Sequence, residues 1–203
     1  MGIFEGLEST TGMPGRRMRG LERILKGIDE GRADRVARIL QPFVQGVTLD
    51  VGCWNGVVAQ RLRHKSIIGL DVVEVPEPRI ECLRFDGQQI PFVDKAFDTV
   101  LCCTALHHAE DPGSLIEEMK RVGKRLVVLE DAYDTVFDRL SVLLLHILGY
   151  NFVPIPYRLN GFRSSRSWRR FFGLHGLDVL FYSRNSGIQP YWWFLQNDLY
   201  VLA

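Results

Sequence analysis

Short apolar runs rich in β-branched residues alternate with amphipathic stretches through the middle of the chain. The apolar runs predict strands, and the stretches between them predict helices. The predicted strands are 46–51, 66–71, 79–84, 97–103 and 124–130, and the predicted helices are 56–64 and 112–122. This alternation indicates an α/β fold with a mostly parallel sheet and helices on both faces. Because crossovers between parallel strands are right-handed, all the carboxyl ends should lie along one edge.

A charged segment precedes this alternation. Apolar side chains recur at helical intervals over residues 16–41, and glycines interrupt them, which predicts two helices closed by Pro42. We therefore predict an N-terminal helical extension over residues 1–45, followed by one domain over residues 46–203.

The alternation of strands and helices stops after the fifth predicted strand. An apolar helix is predicted at 133–149 and a short basic and aromatic helix at 165–175. Two further strands are predicted near 177–183 and 192–202. We interpret residues 133–176 as an insertion that caps the ligand-binding edge of the sheet.

Carboxylates lie at or just after the ends of three of the strands, around a glycine-containing loop. The first strand continues as Leu49-Asp50-Val51-Gly52-Cys53-Trp54-Asn55-Gly56, the second ends at Asp71, and Asp86 follows the third. Open α/β sheets bind ligands at this edge, so the pattern indicates a site for a nucleoside-bearing cofactor. The loop lacks the G-x-G-x-x-G spacing that cradles a pyrophosphate. Asp50 suits a cofactor that carries a sulfonium and an α-ammonium, which favours S-adenosylmethionine over NAD.

The motifs of the chain resemble those of the class I S-adenosylmethionine-dependent methyltransferases. They are most similar to the small-molecule branch that includes the ubiquinone and menaquinone C-methyltransferases (type 11). The resemblance covers about residues 46–131, and its motifs are Leu49–Gly56, Gly69–Asp71, Asp86–Phe92, Ala96–Val100 and Leu106–His108 with Asp111-Pro112. It implies a single Rossmann-like, doubly wound sheet of seven strands with an antiparallel last strand. It also implies S-adenosylmethionine as cofactor and S-adenosylhomocysteine as product.

The same resemblance implies roles for individual residues. Asp71 would accept hydrogen bonds from the ribose hydroxyls and Asp86 from the adenine amino group, while Asp50 would orient the loop or attract the ammonium. His107 and His108 would lie beside the methyl group or the substrate, where an imidazole can take a proton. The expected cofactor-binding residues are Asp50, Gly52, Cys53, Trp54, Gly56, Asp71, Val72, Asp86, Gly87 and Cys103.

One residue departs from the family pattern. Trp54 stands where family members usually carry glycine, which lets the loop backbone approach the methionine part of the cofactor. A tryptophan there must point out of the loop or lie over the ligand. Both retained binding and an altered cofactor site remain open.

Composition narrows the class of protein. A net charge of +1 over 203 residues gives no overall basicity that would favour nucleic acid. No apolar stretch approaches the roughly 20 residues that a membrane span needs. The four cysteines include no C-x-x-C pair and suit small buried side chains in a reducing compartment. We expect a cytoplasmic monomer or homodimer without a metal site.

The predicted cap adds a second feature, arginines interleaved with aromatic residues. These arginines are Arg158, Arg163, Arg166, Arg169 and Arg170. They could bind an anionic substrate, nucleic acid or a lipid surface, or be solvated on a helix with a buried aromatic face. We expect in-line methyl transfer to a small, apolar or partly anionic molecule. The alternatives are an RNA or protein methyltransferase and a non-catalytic methyltransferase-like partner protein.

Overall fold

Seven strands form one sheet in the computed structural model, which describes residues 30–63, 66–75, 77–138, 140, 161, 163–186 and 196–203. The strands are β1 (Thr48–Val51), β2 (Ile67–Asp71), β3 (Cys82–Arg84), β4 (Thr99–Cys103), β5 (Leu126–Ala132), β6 (Val179–Ser186) and β7 (Gln196–Leu202). Their order across the sheet is β3-β2-β1-β4-β5-β7-β6. The first five strands pair in parallel, and β7 is antiparallel to both of its neighbours. This is the doubly wound sheet with an antiparallel last strand that the sequence predicted.

Residues 136–138 and 140 are helical, and three longer α-helices cover the sheet in the described part of the chain. They are α1 (30–40), α2 (Pro112–Val122) and α3 (Ser165–Leu174), and single 3₁₀ turns lie at Ala59–Arg61 and Leu106–His108. Asp111 starts α2, because its Oδ1 accepts hydrogen bonds from the N–H groups of Gly113 at 2.9 Å and Ser114 at 3.1 Å. Pro112 occupies the first helical position, where its missing N–H costs nothing.

Each face of the sheet has its own buried core. On one face, Val128 and Tyr200 of the central strands pack with Trp168 and Phe172 of α3, and α2 contributes to the same cluster. On the other face, residues of α1 pack against Leu101, Val127, Leu129 and Leu199. Because β4 and β5 are buried on both faces, they read as continuous apolar runs rather than as alternating ones.

The predicted helix at 56–64 is wrong. Turns follow β1 as far as residue 58, and only the 3₁₀ turn Ala59–Arg61 comes after them. Gly56 has a φ of 71°, so no right-handed helix can include it. The Asn55 side chain also accepts a hydrogen bond from the Val57 N–H at 3.1 Å, which fixes a local turn instead of a helical one.

The basic and aromatic segment forms α3, and two of its three aromatic residues lie inside the protein, while Phe171 is half-buried. Trp168 and Phe172 are fully buried, whereas Arg166, Arg169 and Arg170 are exposed. Of the predicted helices at 16–41 and 133–149, residues 16–29 and 141–149 lie outside the described residues. The cap and the domain boundaries stay predictions. No helix in the described ranges is long and apolar enough to cross a membrane.

Candidate cofactor site at the carboxyl edge of the sheet

The loop after β1 is built from residues in the left-handed region of backbone space. Gly52, Trp54 and Gly56 have φ values of 73°, 48° and 71°. The Gly52 N–H donates to the carbonyl of Leu70 at 2.7 Å, which holds the loop on the end of β2. A Cβ on Gly56 would lie 2.5 Å from Ile80 Cγ1, so two constraints require glycine there.

Asp71, at the end of β2, holds the same loop through its side chain. Its Oδ2 accepts a hydrogen bond from the Trp54 N–H at 2.7 Å, and its Oδ1 accepts one from the Val73 N–H at 3.1 Å. Only 8% of Asp71 is exposed. The structure therefore brings Asp71 together with the glycine loop, as the sequence predicted.

Trp54 adopts a conformation that glycine accepts more easily. A non-glycine residue in the left-handed region costs about 1–2 kcal/mol, and the hydrogen bond to Asp71 offsets part of this cost. The residue is half-buried. The backbone geometry gives a physical reason why glycine is usual at this position in the resembled family.

Asp50 is a buried carboxylate one residue before the end of β1. Only 3% of it is exposed, and its Oδ1 has no hydrogen-bond partner within the described structure. Burial, followed by the negative charge of Asp71, raises the pKa of Asp50 to about 7. Since an unpaired buried carboxylate is costly, this position favours a cation beside it.

The residues predicted to surround the adenine lie next to the end of β2. The N–H of Phe85 donates to the Asp71 carbonyl at 3.0 Å, and a Cβ on Gly87 would lie 3.1 Å from Val72 Cγ1. Asp86 is exposed, and its Oδ1 accepts hydrogen bonds from the N–H groups of Gln88 at 2.8 Å and Gln89 at 3.0 Å. These backbone donors lower the pKa of Asp86, which keeps it ionised.

The two predicted catalytic histidines occupy different environments in the 3₁₀ turn after β4. His107 is fully buried, and its Nδ1 lies 2.5 Å from Oε2 of Glu130, which is itself fully buried. Burial alone would lower the pKa of His107, but the charge and hydrogen bond of Glu130 outweigh it, so the pKa is raised. His108 is half-buried, with its ring centroid 4.0 Å from that of His107.

Comparison with known proteins agrees with this geometry. Residues 49–129 match the sequence profile of a family described as a methyltransferase domain. The match assigns residues 49–129 to a class I methyltransferase domain of the type 11 branch. Domains of this family depend on S-adenosylmethionine.

Similar proteins act on different kinds of molecule. A demethylmenaquinone methyltransferase of Thermotoga maritima is 31% identical over 54% of this chain and 55% of its own length. A tRNA U34 carboxymethyltransferase of Nautilia profundicola is 35% identical over 36% of this chain and 29% of its own length. The chain thus spans about half or less of these relatives.

A solved structure shows the shared fold. It is a Thermotoga maritima methyltransferase, described as a possible histamine N-methyltransferase, which aligns with a TM-score of 0.65 at 16% identity. The alignment covers 92% of this chain and 95% of that one. At this identity, the comparison supports the architecture of the methyltransferase domain and no substrate.

The structure adds two residues that sequence reasoning missed. Glu130 anchors His107 and also accepts a hydrogen bond from the Leu106 N–H at 2.7 Å. Arg32 of α1 donates to Oγ1 of Thr104 at 3.1 Å, and no carboxylate of the described residues forms an ion pair with it. Thr104 follows β4 and has a φ of 49°, which is strained for a β-branched residue. The sequence gives no sign that Arg32 is functional, because arginines are common in amphipathic helices. Glu130 could have been noticed, because it is a charged residue near the end of an apolar strand.

The two cysteines of the predicted site are neutral thiols. Burial raises the pKa of Cys103 to about 12, at the end of β4. Cys53 is buried in the loop, and its sulfur lies 3.1 Å from the sulfur of Cys82. Neither the pairing of Cys53 nor the environment of Cys103 follows from cysteine spacing.

Proposed function

We propose that this methyltransferase domain binds S-adenosylmethionine across the carboxyl ends of β1, β2 and β3. It transfers the methyl group to a small, apolar or partly anionic acceptor. The observation that carries the proposal is Asp50, a buried carboxylate with an oxygen that lacks a partner among the described residues, beside a left-handed glycine loop. The chemistry of this oxygen fits the α-ammonium of the cofactor, since a cation there removes the cost of burying the charge.

Arg32 complements Asp50. The methionine part of the cofactor carries an ammonium and a carboxylate. Asp50 can supply the negative charge for the ammonium, and Arg32 the positive charge for the carboxylate. Arg32 is a half-buried residue of α1 that contacts Thr104 just after β4, and Asp50 lies on β1, the strand that pairs in parallel with β4. A guanidinium can bind a carboxylate with two hydrogen bonds while Thr104 fixes its position.

Asp71 and Asp86 suit the adenosine end. Each oxygen of the Asp71 carboxylate accepts one backbone N–H, and a carboxylate oxygen has room for further donors. The two ribose hydroxyls can therefore bind Asp71 without releasing the loop. Asp86 is ionised and exposed next to Gly87, after the next strand, and we infer that it accepts a hydrogen bond from the adenine amino group.

The cofactor supplies a methyl group on a positively charged sulfur, and the protein has to align the acceptor with it and exclude water. His107 is buried against Glu130, and we infer that its role is to position the turn after β4. The imidazole of His108 is more exposed than that of His107. We infer that it removes the proton of a hydroxyl or enol acceptor.

An RNA substrate is the second candidate, and two observations favour it. One relative of the chain is a tRNA U34 carboxymethyltransferase, and α3 exposes Arg166, Arg169 and Arg170. Against this candidate, Trp168 and Phe172 of α3 are buried, and the half-buried Phe171 has the Arg163 guanidinium 4.7 Å from its ring centroid, which leaves little aromatic surface on which bases could stack. We therefore rank the small-molecule acceptor first.

The test uses S-adenosylmethionine labelled in the methyl group with tritium. The full chain is incubated with quinol and phenol acceptors or with bulk tRNA, and the label is followed into organic extract or precipitated RNA. Label in the extract supports the proposal, whereas label in RNA selects the second candidate. Absence of cofactor binding at millimolar concentration would select a non-catalytic partner protein.

A cytoplasmic monomer or homodimer remains our prediction, and light scattering of the purified protein tests the oligomeric state.

A further inference from the structure

Two cysteine sulfurs meet beside the cofactor loop. Cys53 Sγ and Cys82 Sγ are 3.1 Å apart, although 29 positions separate the two residues in the chain. Cys53 belongs to the loop after β1, and Cys82 is the first residue of β3 at the edge of the sheet. The sulfur atoms of a disulfide are about 2.0 Å apart, so an approach of about 1 Å would join them.

Gly69 of β2 makes this contact possible. It pairs directly with Cys82, and on its other side with Asp50. A Cβ on Gly69 would lie 2.5 Å from Cys53 Sγ and 3.2 Å from Cys53 Cβ. Without a side chain at this position, the Cys53 thiol can lie across β2 and reach β3.

We propose that Cys53 and Cys82 form a reversible disulfide that ties the cofactor loop to β3 and weakens cofactor binding. A peroxide oxidises the Cys82 thiol to a sulfenic acid and is reduced to water. The Cys53 thiol then attacks the sulfenic sulfur, forms the S–S bond and releases a second water. Two thiols thus lose two electrons and two protons in total, and a dithiol reverses the reaction.

The order of the two steps follows from exposure. Cys82 is half-buried and accessible to a small oxidant, whereas only 8% of Cys53 is exposed. Burial raises the pKa of Cys53, and the charge of Asp50 adds to this effect; burial also raises the pKa of Cys82. Since the thiolate is the reactive form, the crosslink should form slowly at neutral pH and faster as the pH rises.

The crosslink acts on the site because Cys53 lies between two loop residues with defined contacts. The Gly52 N–H binds the Leu70 carbonyl at 2.7 Å, and the Trp54 N–H binds Asp71 at 2.7 Å. A movement of about 1 Å at Cys53 displaces both donors, and displacements of this size are costly in a preorganised site. The disulfide itself does not depend on the proposed function, but its effect on cofactor binding does.

The experiment oxidises the full chain with hydrogen peroxide, blocks the remaining thiols, and maps the peptides by mass spectrometry without reduction. We expect a linked pair of peptides containing Cys53 and Cys82, 2 Da lighter than the sum of the two, which dithiothreitol separates. Affinity for S-adenosylhomocysteine, measured by calorimetry, should fall at least about fivefold on oxidation and return on reduction.

Two variants control the experiment. Cys82→Ser should form no link and should keep its cofactor affinity in peroxide, while Cys102→Ala should still form the link. The proposal is overturned if Cys53 of the oxidised protein is alkylated after denaturation without a reductant, or if the link forms and the affinity is unchanged. If the link forms but the reduced protein binds no cofactor, the proposed function and the effect on binding both fail, and only the disulfide stands.

Discussion

Replacing Asp50 by asparagine should stabilise the cofactor-free protein, and the gain should grow with pH. The folded protein raises the pKa of this carboxyl from 3.8 to about 7, because Asp50 is buried next to Asp71. A raised pKa means that the fold disfavours the ionised form. Wild-type stability is therefore lost as the pH rises from the ordinary value of the carboxyl through about 7.

The size of the gain in stability follows from the change in the pKa of Asp50 on folding. A shift from 3.8 to about 7 corresponds to about 4 kcal/mol once the pH is well above 7, and to about 1.5 kcal/mol at pH 5. Asp50→Asn carries no charge and escapes this penalty at every pH. The difference in unfolding free energy between variant and wild type should increase by about 2.5 kcal/mol from pH 5 to pH 8.

Urea unfolding of the cofactor-free protein at pH 5, 6, 7 and 8 measures this difference. Asp86→Asn is the matched control, since Asp86 is exposed and its pKa is lowered, so its difference from wild type should stay flat over this range. A flat difference for Asp50→Asn as well would show that Asp50 is not a destabilising buried charge. It would also remove the main argument for a cation beside it.

Variants of three further residues probe other parts of the site. Trp54→Gly should be more stable than Trp54→Ala by about 1 kcal/mol in chemical denaturation, because both lose the indole but only glycine accepts the φ of 48°; equal stabilities would argue against backbone strain. Glu130→Gln should lower the free energy of unfolding by about 3 kcal/mol at pH 6 and by less at pH 9. The pKa of His107 is raised by Glu130, so the ion pair stabilises the fold at low pH and is lost as the pH rises. A loss in urea unfolding that does not change with pH would contradict this. Arg32→Gln should weaken S-adenosylhomocysteine about tenfold in calorimetry and leave 5′-methylthioadenosine, which lacks the carboxylate, unchanged; equal loss for both ligands would mean that Arg32 only supports the fold.

The sheet, and the position of the strand-end carboxylates along one edge of it, could be predicted because local patterns determine them. Apolar runs with β-branched residues mark β1, β2 and β5, and the Asp111-Pro112 pair marks the start of α2. Carboxylates at the ends of parallel strands must then share one edge. The prediction failed at 56–64, where the left-handed Gly56 and the turn at Asn55 override the helical pattern of the residues that follow.

Contacts between distant segments could not be predicted, since they depend on register and on the packing of helices. The His107–Glu130 pair joins the turn after β4 to the end of β5, and Arg32 reaches Thr104 across 72 positions. The strain at Trp54 could not be predicted either, because it depends on the backbone φ angle. A glycine preference in the resembled family indicated the position, but not that the loop keeps its left-handed turn with a tryptophan in place.

The central claim is that S-adenosylmethionine binds at the edge formed by the glycine loop, Asp50 and Asp71. Calorimetric titration of wild type and of Asp71→Asn with S-adenosylmethionine tests it most directly, since asparagine can still accept one loop N–H but brings no charge and one fewer acceptor oxygen to the ribose. We predict micromolar binding to wild type and at least about tenfold weaker binding to the variant. Wild-type protein that binds no cofactor at millimolar concentration, or a variant that binds as tightly as wild type, would contradict the account.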